Sequence, residues 1–175
     1  MSRKQVGDTI NNVSLETISG ASLAIPPTEG VVHLQFRRYS GCPICNLHLR
    51  SFVQRHGELV SRAVTEVVVF ASNTETMLKH HAEVPFAMVA DPEKTLYQTF
   101  GVEQSATAIL HPIAFFSAMK GTMLTGSKSR SRLESARGLP AEFLIDSGGG
   151  ILSCNYGRHA ADQWSVDEVL KKVSG

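Results

Sequence analysis

The pair Cys42 and Cys45 constrains the fold of this chain more than any other feature, because it forms a C-x-x-C between a strand-like run and a helix-like stretch. The strand-like run covers residues 31–36, and the amphipathic stretch that follows contains Leu47, Leu49, Phe52 and Val53. A helix N-terminus carries unpaired N–H groups and a positive dipole end, so it stabilises a thiolate over a thiol. Helical spacing also brings both sulfurs to one face, within disulfide-bonding reach. We therefore expect an exposed, low-pKa thiol at Cys42 with Cys45 as its partner.

Composition narrows the protein class. The chain has 175 residues, of which 42% are hydrophobic and 19% charged, as expected for one globular domain over residues 1–175. A net charge of +1 gives no electrostatic reason to expect nucleic acid or a membrane as partner. No apolar run is long enough to span a bilayer, and no secretory leader is apparent. Three cysteines do not form a disulfide scaffold, so we expect the reducing cytoplasm.

Strand-like and helix-like segments alternate along the first hundred residues. Turns in 1–29 predict a short hairpin, and runs of apolar residues predict strands at 31–36, 64–70 and 85–90. The helix after the C-x-x-C is expected to end near Gly57. Two further helices are indicated by their caps: one follows Ser72 or Asn73, and one begins at Asp91-Pro92 and ends at Gly101.

The second half is less regular. Within 102–139, the segment 120–137 holds five basic residues and one acid among serines and glycines, which predicts a mobile basic loop. After it the pattern predicts a strand (141–145), a hairpin turn (146–150), a strand (151–154) and a helix capped by Ser165. This order predicts the α/β class: a thioredoxin-like fold with a central mixed sheet and helices on both faces.

From residue 6 onward the chain resembles the peroxiredoxin-like branch of the alkyl hydroperoxide reductase/thiol-specific antioxidant (AhpC/TSA) superfamily. The matching segments are VGDTI at 6–10 with Leu15 and Gly20, FRR at 36–38 with CPIC at 42–45, ADP at 90–92 with FGV at 100–102, and GLPAEFLID at 138–146. The resemblance implies a thioredoxin fold and thiol-dependent redox activity, with Cys42 as the attacking cysteine. It also implies no bound cofactor and an external electron donor of the thioredoxin or glutathione type.

The chain departs from typical peroxiredoxins at three positions. Tyr39 replaces the hydroxyl residue of P-x-x-x-T/S-x-x-C, Gln35 replaces its proline, and Pro140 stands where an arginine precedes the F-[IL]-I-D strand. Pro140 occupies the place of the thioredoxin proline that adopts a cis bond beside the C-x-x-C. We therefore expect a cis Leu139–Pro140 bond against Cys42, slow peroxide reduction and comparable or better disulfide reduction.

Several residues have competing interpretations. Cys42 and Cys45 are alternatively two inert buried hydrophobes, or zinc ligands with His48 and a fourth residue among His33, His159 and Cys154. Cys154 is either a remote resolving cysteine or a plain strand residue, and the nearness of Cys45 favours the latter. No metal is expected. The pair His80 and His81 is expected at a helix end, with a role either at the surface or in complementing the helix dipole.

The residues before Cys42 are candidate supporting groups. One of Arg37 and Arg38 can point at the thiolate while the other faces solvent, or both are solvated strand-end charges. Tyr39 either donates a hydrogen bond to a peroxide oxygen or packs beside the motif. The predicted site thus comprises Cys42 and Cys45, supported by Arg38, Tyr39 and Pro140.

The sequence favours a thiol oxidoreductase. Cys42 attacks a small peroxide or disulfide, and Cys45 then forms the Cys42–Cys45 disulfide. One alternative is a protein thiol-disulfide oxidoreductase with little peroxidase activity. Another is a non-catalytic redox-sensing module whose basic loop at 120–137 docks a partner.

Overall fold

The structure, a computed structural model, describes residues 2–102 and 138–174. Its strands are β1 (Val13–Glu16), β2 (Ser22–Ile25), β3 (Val31–Arg37), β4 (Val64–Phe70), β5 (Ala87–Ala90), β6 (Ala141–Asp146) and β7 (Ile151–Tyr156). Its helices are α1 (Pro43–Gln54), α2 (His56–Val60), α3 (Thr74–His81), α4 (Thr95–Thr99) and α5 (Val166–Val173). The basic segment 120–137 lies outside the described residues.

A five-stranded mixed sheet forms the centre, in the order β5-β4-β3-β6-β7. Strands β3, β4 and β5 run parallel, and β6 and β7 are antiparallel to their neighbours. Strands β1 and β2 form the hairpin that the sequence predicts near the start. Because the parallel strands share a direction, their carboxyl ends meet at one edge, where β3 leads into α1 and β4 leads into α3.

Apolar cores cover both faces of this sheet. On one face, Val32, Leu34 and Phe36 of β3 pack with Tyr97 of α4 and with the hairpin. On the other face, residues of α1, α2, α3 and α5 pack against β4 and β6, among them Leu49, Phe52, Leu59, Met77 and Val166. The expected α/β thioredoxin-like fold, with helices on both faces of a mixed sheet, is confirmed. No helix among the described residues is long and apolar enough to cross a membrane.

Two predicted helix boundaries are wrong. Helix α1 already ends at Gln54, and Gly57 lies inside the short α2 rather than terminating the first helix. The helix expected at Asp91 begins four residues later, at Thr95, because the Asp91 carboxylate reaches forward and accepts from the N–H groups of Thr95 at 2.9 Å and Leu96 at 2.8 Å. Gly101, at φ +66°, follows the end of α4 as predicted.

Candidate active site

The cysteine pair lies at the start of α1, at the carboxyl edge of the parallel strands. Cys42 is the N-cap, and Pro43 occupies the first helical turn. One turn on, the Cys45 thiol donates to Cys42 Sγ at 2.8 Å, and the Cys45 backbone N–H also donates to it at 3.4 Å. The predicted juxtaposition of the two sulfurs is present in the structure.

The two thiols differ in proton affinity. The Cys45 thiol hydrogen bond is the largest cause that lowers the pKa of Cys42 to about 6; burial opposes it, and the Arg38 charge adds to it. The same hydrogen bond, together with burial, raises the pKa of Cys45 well above its ordinary value. At neutral pH, Cys42 is therefore a thiolate held by a neutral Cys45 thiol.

Cys42 is not the exposed thiol that the sequence suggested. Its side chain and that of Cys45 are each 1% exposed, within a core that includes Leu49, Phe70 and Met77. The N-terminus of a helix is open to solvent only where no other element packs against it. Here Phe70 of β4 and Met77 of α3 pack against the start of α1.

Arg38 is the cation beside the thiolate. Its Nη1 lies 3.9 Å from Cys42 Sγ, and its guanidinium sits 5.7 Å from the ring centroid of Tyr39. Tyr39 is half-buried, packs beside the motif, and accepts the Cys42 N–H on its carbonyl at 3.0 Å. Arg38 and Tyr39 thus both reach the site for which they were candidates.

Arg37 does not face solvent. It is fully buried, and its Nη2 donates to Gln35 Oε1 and lies 3.2 Å from Glu142 Oε1 and 3.1 Å from His48 Nδ1. Successive residues of a strand point to opposite faces of the sheet. The Arg37 side chain therefore points into the buried face under α1, whereas Arg38, just past the end of β3, approaches Cys42 Sγ.

A buried polar cluster therefore lies beneath α1, and sequence reasoning missed it. The carboxylate of Glu66 accepts from His33 Nδ1 at 2.9 Å and from the Gln35 amide. Glu142 accepts the Trp164 N–H at 2.5 Å, and burial raises its pKa. The signal was the polar spacing of His33, Gln35 and Arg37 in an otherwise apolar strand.

The expectation of a cis Leu139–Pro140 bond is wrong. Among the described residues the cis peptide bond precedes Pro26, and the Leu139–Pro140 bond is trans. In this form the carbonyl of Pro140 accepts the Gly157 N–H at 2.9 Å, which extends the pairing of β6 with β7. This hydrogen bond between Pro140 and Gly157 and the intrinsic preference of X–Pro bonds for the trans form both favour the trans bond.

The remaining candidates lie elsewhere. Cys154 is on β7, packs in the core on the opposite face from Cys42, and donates to the Lys4 carbonyl at 3.8 Å. His48 faces Arg37 rather than the two sulfurs. Within residues 2–102 and 138–174, no three His, Cys, Asp or Glu side chains form a group that could hold a metal ion. His81 lies at the end of α3, as the sequence predicts, but it is buried, so the alternative of a surface position is wrong for it.

Comparison with known protein families decides the relationship. The AhpC/TSA family matches residues 6–153. The chain belongs to the AhpC/TSA family. It is accordingly a thiol-dependent oxidoreductase enzyme with a thioredoxin fold, as the sequence indicated.

Solved structures share the fold of this AhpC/TSA protein at low identity. PrxQ from Xylella fastidiosa is 16% identical, with a TM-score of 0.73 over 99% of this chain and 98% of that one. Peroxidoxin BcpB from Mycobacterium tuberculosis is 16% identical, with a TM-score of 0.67 over 97% and 94%. A putative thiol:disulfide interchange protein DsbE from Chlorobium tepidum is 20% identical, with a TM-score of 0.62 over 97% and 98%. Comparison with curated protein sequences finds no match.

Proposed function

We propose that this AhpC/TSA protein reduces small hydroperoxides, with Cys42 as the attacking thiolate and Cys45 as the resolving thiol. One observation carries the proposal: Cys42 Sγ lies 2.8 Å from a thiol donor, Cys45, and 3.9 Å from a cation, Arg38. The hydrogen bond and the charge both favour the thiolate, and a guanidinium this close to the sulfur can also stabilise charge that develops on a peroxide oxygen attacked by it. Arg38 thus takes the role of the arginine that typical peroxiredoxins carry at the position of Pro140.

The chemistry balances without a bound cofactor. Cys42 thiolate attacks one peroxide oxygen, an S–O bond forms, the O–O bond breaks, and the departing alkoxide takes a proton from solvent. The Cys45 thiol then attacks the Cys42 sulfenic acid; an S–S bond forms, and the hydroxyl leaves as water with the Cys45 proton. An external dithiol of the thioredoxin type, or glutathione, returns two electrons through a mixed disulfide.

Burial of the pair in the dithiol form supports a small hydroperoxide as the oxidant. A hydroperoxide needs only a narrow approach to Cys42 Sγ, and Cys42 is 1% exposed. The trans Leu139–Pro140 bond also removes the thioredoxin-like feature on which the expectation of disulfide reduction partly rested. We accordingly revise the expectation of slow peroxide reduction. Three free thiols suit a reducing compartment, and we place the enzyme in the cytoplasm.

Stopped-flow oxidation of the reduced protein tests the proposal. Hydrogen peroxide and an alkyl hydroperoxide should oxidise the protein faster than a small disulfide that is similar in size to the alkyl hydroperoxide. Cys42→Ser should abolish the reaction, and Cys45→Ser should accumulate a sulfenic acid that a dimedone probe traps. Faster reaction with the disulfide would favour the alternative thiol-disulfide oxidoreductase.

Turnover with a thioredoxin or glutathione recycling system distinguishes an enzyme from the redox-sensing alternative. The proposal expects continuous consumption of reductant while peroxide remains. A single oxidation without recycling by either donor would contradict the donor class proposed here.

A further inference from the structure

The loop from Arg38 to Gly41 lies between β3 and the N-cap of α1, and it connects the two partners of the thiolate contact. Arg38 opens it, and Cys42 follows it directly. Two hydrogen bonds hold the backbone of this loop to the segment after β4. The Arg38 carbonyl accepts the Ala71 N–H at 3.3 Å, and the Ser40 N–H donates to Ser72 Oγ at 3.1 Å. Ser40 lies midway between Arg38 and Cys42 in the sequence, and its carbonyl is a third point at which the loop is held.

Two side chains from different helices meet on that carbonyl. Asn46 Nδ2 of α1 donates to Ser40 O at 3.0 Å, and His81 Nε2, from the last residue of α3, lies 3.2 Å from the same oxygen. A carbonyl only accepts, so Nε2 carries the hydrogen. Burial lowers the pKa of His81, so the ring is neutral at neutral pH.

The ring of His81 is itself fixed in place. It is 4% exposed and stacks on Phe70 of β4, with centroids 5.0 Å apart and an interplanar angle of 15°. His81 thus links the end of the central sheet to the loop before Cys42, across 41 residues of sequence. Its neighbour His80 is exposed on the same helix.

We propose that His81 is a positioning residue for Cys42: its N–H on the Ser40 carbonyl holds the loop so that the Arg38 guanidinium and the Cys42 sulfur stay in contact. The inference deepens the proposed function and rests on it for its catalytic meaning. The Arg38–Cys42 distance is already 3.9 Å, so an outward shift of the loop weakens the attraction between guanidinium and thiolate.

Variants at His81 test the hydrogen bond apart from packing. His81→Leu removes the donor, His81→Gln keeps an N–H donor, and His80→Leu is the matched control on the exposed side of α3. Ultraviolet absorbance of the thiolate against pH reports the pKa of Cys42 without requiring any enzymatic activity. It therefore separates failure of this inference from failure of the proposed peroxidase function.

We expect His81→Leu to raise the pKa of Cys42 by about half a unit or more and therefore to slow peroxide oxidation about two-fold or more near pH 6. His81→Gln should recover most of the shift, and His80→Leu should match the wild type. An unchanged Cys42 titration in folded His81→Leu, or equal shifts in the Leu and Gln variants, would refute the hydrogen-bond role.

Asn46→Ala provides a second arm should His81→Leu fail to fold, because it removes the other donor from the same carbonyl. The inference expects a shift of the Cys42 pKa in the same direction, and little further change when Asn46→Ala is combined with His81→Gln, which keeps a donor on the carbonyl. An unchanged titration in both Asn46→Ala and His81→Gln/Asn46→Ala would contradict it.

Discussion

At the scale of single residues, the hydrogen bond between the two cysteines sets the chemistry. It is the largest cause of the low Cys42 pKa, so its removal should raise that pKa above about 6. Cys45→Ala leaves no donor at this position, whereas Cys45→Ser keeps a hydroxyl. We expect a larger rise in the alanine variant, measured by thiolate absorbance. Equal titrations of the Cys45→Ala variant and the wild type would contradict this assignment.

Arg38 offers a second residue-scale prediction. Arg38→Ala should raise the Cys42 pKa and slow peroxide oxidation by about 10- to 1,000-fold, because such a donor stabilises both the thiolate and the charge that develops on oxygen. Arg38→Lys should retain part of the rate, because the lysine ammonium still places a positive charge near the sulfur. Arg50→Ala, an exposed arginine on α1, is the control. Rates measured well above the Cys42 pKa isolate the effect on the peroxide.

The contact between Cys42 and Cys45 could be predicted because it is local. A spacing of three residues at a helix start fixes the geometry before any long-range packing is known. The roles of Pro140 and His81 could not be predicted in the same way. Each depends on a partner far along the chain: Gly157 for the Pro140 carbonyl, and the Ser40 carbonyl for His81.

At the scale of elements, β3 shows where pattern and burial diverge. Its alternation of polar and apolar residues is typical of a strand with one face in water. Here α1 and α5 cover the polar face, and Glu142 supplies the countercharge for Arg37 from β6. The position of β4 at Val64–Phe70 was predictable from its β-branched residues. The burial of β3 was not, since it depends on which helices pack there.

The buried pair of Arg37 and Glu142 gives an element-scale prediction. Glu142→Ala leaves a guanidinium inside the fold without its carboxylate, which should lower the free energy of unfolding by about 3–5 kcal/mol. The double variant Arg37→Met/Glu142→Leu should lose less, because it removes both charges. Urea denaturation measures both. Glu58→Ala, which removes a surface partner of Arg55, should change little.

At the scale of the whole molecule, the pKa of Cys42 couples stability to pH. In the folded, reduced protein this pKa is about 6, against an ordinary value of 9.0. The unfolded chain therefore binds the extra proton between these values, so the contribution to stability is complete above pH 9 and is lost as the pH falls to 6. Cys45, whose pKa is raised above the ordinary 9.0, stays protonated in both states below about pH 8 and adds no slope there.

We therefore expect the free energy of unfolding of the reduced protein to rise relative to Cys42→Ser by about 1 kcal/mol per pH unit between pH 6 and 9. Urea denaturation in the presence of a strong reductant measures the difference, in which contributions from titrating groups away from the cysteine pair cancel. Parallel curves for the two proteins would show that Cys42 is not a stabilised thiolate.

The thiol hydrogen bond from Cys45 to Cys42 has a further consequence for the whole redox cycle. It exists only in the dithiol, so it stabilises the reduced protein and makes the reduction potential of the disulfide less negative. A thiolate with a pKa of about 6 contributes about 1.4 kcal/mol at neutral pH, which corresponds to about 30 mV for a two-electron couple. The hydrogen bond that keeps Cys42 as a thiolate for attack thus also favours reduction of the Cys42–Cys45 disulfide by the electron donor.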